Sequence, residues 1–303
     1  MKESWKHGFA DVGEIRMHYV TQGKGKLLLL LHGFPDFWYV WRFQISALAE
    51  HFRVVAPDLR GYNETDKPKD VDKYRLIFLT QDVFGLINAL GEKEAMIVGH
   101  DWGGAIAWSL AAYYPEATEK LVVLNAPHPN AYTKRTAGLW RQLQKSWYVF
   151  FFQTLDIPEK VLSRNNYAFL KSMLLNSLVK KGVFTDEDLS AYVNAWSKPG
   201  ALTAAINYYR ANMHPTILFS EKMVAFPKIK SPTLVVWGDQ DVALSKDLII
   251  DTDEFVDAPY SIKYFPNCGH WVHLEEPELV TKCLLEFLRI PKSPRESRDL
   301  NAR

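Results

Sequence analysis

The sequence predicts an α/β fold, a doubly wound parallel sheet with helices on both faces, into which a separate helical segment is inserted. Three observations lead there. Six short aliphatic runs recur along the chain, each closed by Gly, Asp, Asn, His or Pro. Helix-length stretches separate most of them, and strands alternating with helices build parallel sheets. The alternation then stops between about residues 131 and 226, where no Val/Ile-rich run occurs.

The first run, LLLLL at Leu27–Leu31, stops at His32-Gly33; VVA at 54–56 stops at Pro57-Asp58; and AMIV at 95–98 stops at Gly99-His100-Asp101. Runs this short and apolar, bounded by turn residues, read as strands buried on both faces. LVVL at 121–124 precedes Asn125-Ala126-Pro127, TLVVW at 233–237 precedes Gly238-Asp239-Gln240-Asp241, and SIKYF at 261–265 precedes Pro266-Asn267. Helices are expected at 41–50, 80–90 and 103–114. In the interrupted region, apolar residues fall at helical spacing over 162–175, 186–196 and 202–210, punctuated by Pro158, Gly182, Pro199-Gly200 and Pro215. The expected division is a core of residues 1–130 and 227–303 and a helical cap of residues 131–226. The polar tail after Pro291 is expected to fray.

Composition bounds the function. The chain has 303 residues, 48% hydrophobic and 23% charged, which excludes a disordered or low-complexity protein. Thirty-six Lys+Arg against 35 Asp+Glu leave a formal charge of +1, so no overall field gathers nucleic acid or anionic membrane. A neutral small molecule fits this balance. Cys268 and Cys283 are too few for a disulfide framework and point to a reducing compartment. The start, MKESWKHGFADVGEIRMHYV, has no signal-type apolar stretch, and no run approaches the roughly 20 residues that span a bilayer. The expectation is a cytoplasmic protein without a membrane span.

The segment IVGHDWGG at 97–104 reads as strand, sharp turn and helix start. Gly-x-Ser-x-Gly marks a nucleophile elbow, in which small neighbours tolerate a strained turn that lifts one side chain into the site. Here Gly99-His100-Asp101-Trp102-Gly103 puts Asp101 in the position of serine. A helix N-terminus keeps such a carboxylate ionised. Taken alone, Gly-His-Asp is equally an N-cap; its neighbours decide. An ester formed by a carboxylate must be hydrolysed by an activated water, which needs a histidine base and an acid to orient it. His270 follows the last expected strand and Asp241 the one before, in the chain order nucleophile, acid, histidine. His273 is the competing base and Asp239 the competing acid. In HGFPD at 32–36, the Phe34 N–H joins that of Trp102 in an oxyanion hole.

Together HGFPD, RGYNETDKP at 60–68, GHDWGG, the GDQD loop and CGHWVHLEEPE resemble the epoxide hydrolase branch of the α/β-hydrolases, from about Gly8 to Leu288. The resemblance implies an α/β-hydrolase fold with a mostly parallel, eight-stranded sheet and a helical cap. It also implies two cap tyrosines that hold the epoxide oxygen: Tyr148, ahead of Phe152-Gln153, and Tyr209 in Asn207-Tyr208-Tyr209-Arg210, with Tyr208 as the competitor. A phenol, with pKa about 10, stays protonated at neutral pH and can assist an alkoxide leaving group. Dense aromatics imply an apolar pocket, for which Phe34, Trp38, Trp102, Trp147 and Phe151 are the expected lining.

The function expected is conversion of lipophilic epoxides to vicinal diols, using water and no cofactor or metal, in a monomer or homodimer serving detoxification. Haloalkane or haloacid dehalogenases share the elbow aspartate and are the enzymatic alternative. They need N–H donors for halide, which Trp102, Trp147 or Trp196 would supply. A non-catalytic protein binding an apolar ligand is the alternative of another class. The pair Glu275-Glu276 reads as hydrated acids at a helix start, and Arg60 and Asp66 as residues fixing the loop after the fourth strand.

Overall fold

The computed structural model describes residues 5–136, 140–214 and 226–289. The expectations about Pro215 and about the tail after Pro291 lie outside the described residues. One sheet of eight strands runs in the order β1-β2-β4-β3-β5-β6-β7-β8. These are β1 (Lys6–Val12), β2 (Ile15–Gln22), β3 (Leu27–Leu31), β4 (Arg53–Pro57), β5 (Ala95–His100), β6 (Thr118–Leu124), β7 (Thr233–Gly238) and β8 (Tyr260–Phe265). β2 is antiparallel to both β1 and β4, and every other neighbouring pair is parallel.

The six apolar runs are β3 to β8. The two strands that form no such run are the β1–β2 hairpin, joined through Gly13 at φ +60°. β1 lies at the sheet edge with a half-exposed, alternating burial pattern, so it has no continuous apolar run to betray it. By contrast all five leucines of β3 are at most 2% exposed, each stabilised by roughly 1.5–3 kcal/mol relative to exposure. Leucine by itself favours helix. Pairing on both sides, with β4 and β5, overrides that preference. Gly103 completes the fit, since a Cβ there would lie 2.3 Å from the Leu31 carbonyl oxygen. Only glycine lets the following helix come this close to β3.

Helices α1 (Arg42–Leu48), α2 (Leu76–Ala89) and α3 (Trp102–Tyr113) flank the sheet, with short and long C-terminal helices at Val272–Glu275 and Pro277–Leu288. α2 packs on α3 and β1, whereas α1 packs on β4 and the Pro277–Leu288 helix. Because the chain leaves β3 for β4 on one side and returns to β5 on the other, a crevice opens at the carboxyl ends of β3 and β5. The loops after β3, β5, β6, β7 and β8 all end there.

Between β6 and β7 the described chain is helical: α4 (Pro129–Thr136), α5 (Trp140–Lys145), α6 (Trp147–Phe152), α7 (Ile157–Asn176), α8 (Asp186–Ser197) and α9 (Ala201–Asn212). α8 begins on a capping box between Thr185 and Asp188. α9 is alanine-rich on its buried face, which brings Tyr208 and Tyr209 against the core. No helix among the described residues is long and apolar enough to cross a membrane. Cys268 and Cys283 are free thiols.

Candidate active site

Asp101 sits between β5 and α3 at φ 52°, ψ −121°, a conformation that costs a non-glycine residue free energy and marks a strained turn. Its Oδ1 accepts the backbone N–H of Phe34 at 2.8 Å. Gly33 makes that approach possible, because a Cβ there would stand 2.2 Å from the same oxygen. The N–H of Trp102, at the first position of α3, has no partner within its helix. Of the two backbone donors named from the sequence, that of Phe34 is bonded to the carboxylate and that of Trp102 opens the helix that follows it.

His270 is buried on the loop after β8, with Nε2 3.5 Å from Asp101 Oδ2 and Nδ1 2.7 Å from Asp241 Oδ2. Asp241 is equally buried and its Oδ2 also accepts from Asn125 Nδ2 at 2.8 Å. The competing acid, Asp239, pairs instead with Lys246 at 3.6 Å, and the competing base, His273, stacks on Trp41 with ring centroids 4.4 Å apart. Burial pushes the His270 pKa down, but the charge and hydrogen bonds of Asp241 and Asp101 outweigh it and raise it to about 10. Burial likewise pushes Asp101 up. The His270 hydrogen bond and charge, with the Phe34 N–H, win and hold it below the usual carboxylate range. Both shifts run in the direction that favours an imidazolium between two carboxylates.

Two cavities meet at this centre, one of about 430 Å³ and one of about 190 Å³, and Asp101, Tyr148 and Tyr209 line both. The two phenol rings are 5.7 Å apart, edge to face. Burial holds both hydroxyls well above the usual tyrosine pKa, so they remain protonated donors. Tyr208 faces the other way: its hydroxyl donates to the Arg60 carbonyl at 2.8 Å. Gln153 Nε2 donates to the carbonyl of Tyr209 at 3.2 Å, tying α6 to α9.

Phe34 and Trp147 line the larger cavity and Trp102 the smaller. Trp38 corrects the expectation. Its ring packs edge-on against Trp5 at 5.0 Å and against Phe37, under the N-terminal strand, and it is absent from the lining of either chamber. Phe151 also falls outside the lining and packs on Trp147 and Phe152, because it is the next residue of α6, Phe152, that points toward Phe34 and Tyr209. The Trp196 indole is committed to the Pro35 carbonyl at 2.6 Å. Glu275 is not a hydrated acid. It is 3% exposed and accepts the backbone N–H groups of Gly269, Val179 and Lys180. Glu276 is the surface partner, paired with Lys180. Arg60 makes a two-point bond to Asp82, and Asp66 accepts the Arg16 N–H, which fixes the loop after β4.

Several residues at the site carry no motif of their own. Asp36 accepts from Tyr192 on α8 and from Trp271 beside the base, both at 2.9 Å, and burial raises its pKa to about 7. His100, kept neutral by burial, donates from Nε2 to the His270 carbonyl at 2.9 Å. Asn125 is the one with a readable signal, since it closes the β6 run. Among the described residues no group of His, Cys, Asp and Glu is arranged to hold a metal ion.

The family model described as alpha/beta hydrolase fold matches residues 26–277. The chain is 39% identical over 294 residues to Epoxide hydrolase 1 of Caenorhabditis elegans, covering 94% of this chain and 71% of that protein. It is 40% identical over 281 residues to Epoxide hydrolase 4 of Homo sapiens, covering 91% and 76% respectively. Among solved structures, a Bacillus megaterium epoxide hydrolase in complex with an inhibitor superposes with TM-score 0.87 at 31% identity, covering 93% of this chain and 99% of that one.

Proposed function

This chain belongs to the epoxide hydrolases of the α/β-hydrolase family, and from that premise we propose how its own residues open a lipophilic epoxide to a vicinal diol. The observation that carries the reading is the meeting of two cavities at one carboxylate and two phenols. Asp101 Oδ1 is held by the Phe34 N–H, so Oδ2, which faces His270 Nε2 at 3.5 Å, is the oxygen that attacks an epoxide carbon. As the C–O bond breaks, Tyr148 and Tyr209 donate to the departing oxygen, and one of them protonates it. The proton is replaced from His270. The product is a hydroxyalkyl ester of Asp101.

Ester formation removes the charge of Asp101. One of the two carboxylates that raise the His270 pKa is then gone, and the imidazole can act as a base. Oriented by Asp241, it takes a proton from water, whose oxygen attacks the ester carbonyl. The negative charge develops on Oδ1, where the Phe34 and Trp102 N–H groups receive it. Collapse releases the diol, which takes the proton left on the carboxyl, and the resting charges return.

Residues 131–226 act as a cap over the core in this reading. A substituent on each epoxide carbon fits one chamber each, the smaller holding a short apolar group. With its indole bound to the Pro35 carbonyl, Trp196 is not available to receive a halide. Free thiols at Cys268 and Cys283 support a cytoplasmic location. Every group named comes from one chain. Single-turnover reaction in heavy-oxygen water tests the route: the first diol should carry no solvent oxygen and Asp101 should acquire it. The reverse distribution means direct attack by water and ends the proposal.

A further inference from the structure

We propose that Gln142 is a positioning residue for Asp241, so that the helical segment holds the acid-bearing loop in addition to roofing the cavity. The inference rests on the reading of Asp241 as the acid behind His270.

Asp241 Oδ1 accepts from the backbone N–H groups of Ala243 at 2.7 Å and Leu244 at 2.9 Å. Two of the four hydrogen bonds that aim this carboxylate therefore come from its own loop, and they hold only as long as the loop keeps its shape. That loop lies beyond the end of β7, outside the sheet ladder. What holds it is α5. Gln142, fully buried, accepts the Ser245 N–H at 2.9 Å and donates to the Ala243 carbonyl at 2.9 Å. One turn along, the Lys145 ammonium donates to the Asp241 carbonyl at 2.5 Å. The main chain at 241, 243 and 245 is thus gripped at alternate residues by a single helix. An amide suits the task, because one planar group must both donate and accept, which neither a carboxylate nor an ammonium can do. Ser146 Oγ takes the remaining amide hydrogen at 2.9 Å and fixes the orientation.

The consequence divides the reaction. Asp101 stands on the β5–α3 elbow and takes none of its bonds from α5, so ester formation depends on Gln142 only through the proton that His270 returns to the phenol. Ester hydrolysis needs His270 aimed by Asp241 and depends on it.

Gln142→Met keeps the length of the side chain and removes both bonds, and Lys145→Met removes the third from a half-buried site. Two measurements are made on the full chain: rates of ester formation and ester hydrolysis in single turnovers, and the strongly deshielded His270 Nδ1–H proton by NMR without substrate. A displacement of 1 Å costs up to about 10²-fold, so hydrolysis in Gln142→Met should slow on the order of tenfold while ester formation is retained and the proton resonance moves upfield. Lys145→Met should move the resonance in the same direction by less; because Lys145 also lines the larger cavity, it is the resonance of this variant that decides the matter if Gln142→Met does not fold. An unmoved resonance in the folded variants, or equal decline of both half-reactions, overturns the proposal. If the wild-type protein forms no ester, the mechanism above fails instead, and the resonance still decides the role of Gln142.

Discussion

Replacing both phenols that flank the cleaving bond is the perturbation with the most to say about this site. Tyr148 and Tyr209 line the same two cavities as Asp101, and burial keeps both protonated. A positioned general acid contributes roughly 10²–10⁴-fold, equivalent to about 2.7–5.4 kcal/mol of barrier at 1.36 kcal/mol per decade. Shared by two donors to one oxygen, that is about 1.4–2.7 kcal/mol each, so Tyr148→Phe or Tyr209→Phe alone should cost on the order of 10- to 100-fold in ester formation. The double variant should lose the whole factor. Neither phenol aims His270, so hydrolysis of an ester once formed should be little changed. Rapid-mixing measurement of the two half-reactions on a disubstituted aryl epoxide separates these effects. A double variant that still forms ester near the wild-type rate would refute the assignment of the phenols. Tyr208→Phe serves as the control, since its hydroxyl is bonded to the Arg60 carbonyl and should affect stability more than rate.

Three further outcomes are expected. His270→Gln should form the Asp101 ester and stop, visible by mass spectrometry as one epoxide added per chain; sustained turnover would exclude His270 as the base. In Gly33→Ala the new methyl would stand 2.2 Å from Asp101 Oδ1 and 2.4 Å from its Cβ, so the elbow itself must shift; turnover should be lost and stability should fall by about 1–3 kcal/mol in thermal melts; wild-type turnover would show the contact to be without consequence. The folded-state pKa of His270, about 10, lies above its ordinary 6.5. The folded state binds this proton more tightly, so its contribution to stability is complete below about pH 6.5 and is lost as pH rises toward 10. Thermal melts between those limits should fall with pH more steeply in the wild type than in His270→Gln, and parallel curves would contradict the raised pKa.

Much of the architecture is legible in the sequence because it follows from short-range rules. Five consecutive leucines closed by His32-Gly33 are too short a run for a typical helix and read as an interior strand, and glycines at 99 and 103 permit a turn that presents Asp101. The β1–β2 hairpin is harder to see, since a half-exposed edge needs no apolar run. Trp38 and Phe151 look like pocket residues from their neighbours, yet each is turned into packing by the element that carries it. Glu275 is the opposite case. A polar residue at a helix start is normally hydrated, but here three backbone N–H groups from Gly269, Val179 and Lys180 converge on it, and two of them belong to the loop between α7 and α8.

By itself the sequence determined the order of the six apolar strands, the helical character of the segment between β6 and β7 and the chemical types available at each loop, because these depend on residues close along the chain. Only the tertiary structure shows which of Tyr208 and Tyr209 lines the cavities and which of Asp239 and Asp241 lies against His270. Neighbours on a helix point about 100° apart, and which one meets the cavity is set by how α9 is rotated when it packs over the core. That Gln142 reaches Ala243 and Ser245, a hundred residues away, is likewise a fact of packing that no local pattern encodes.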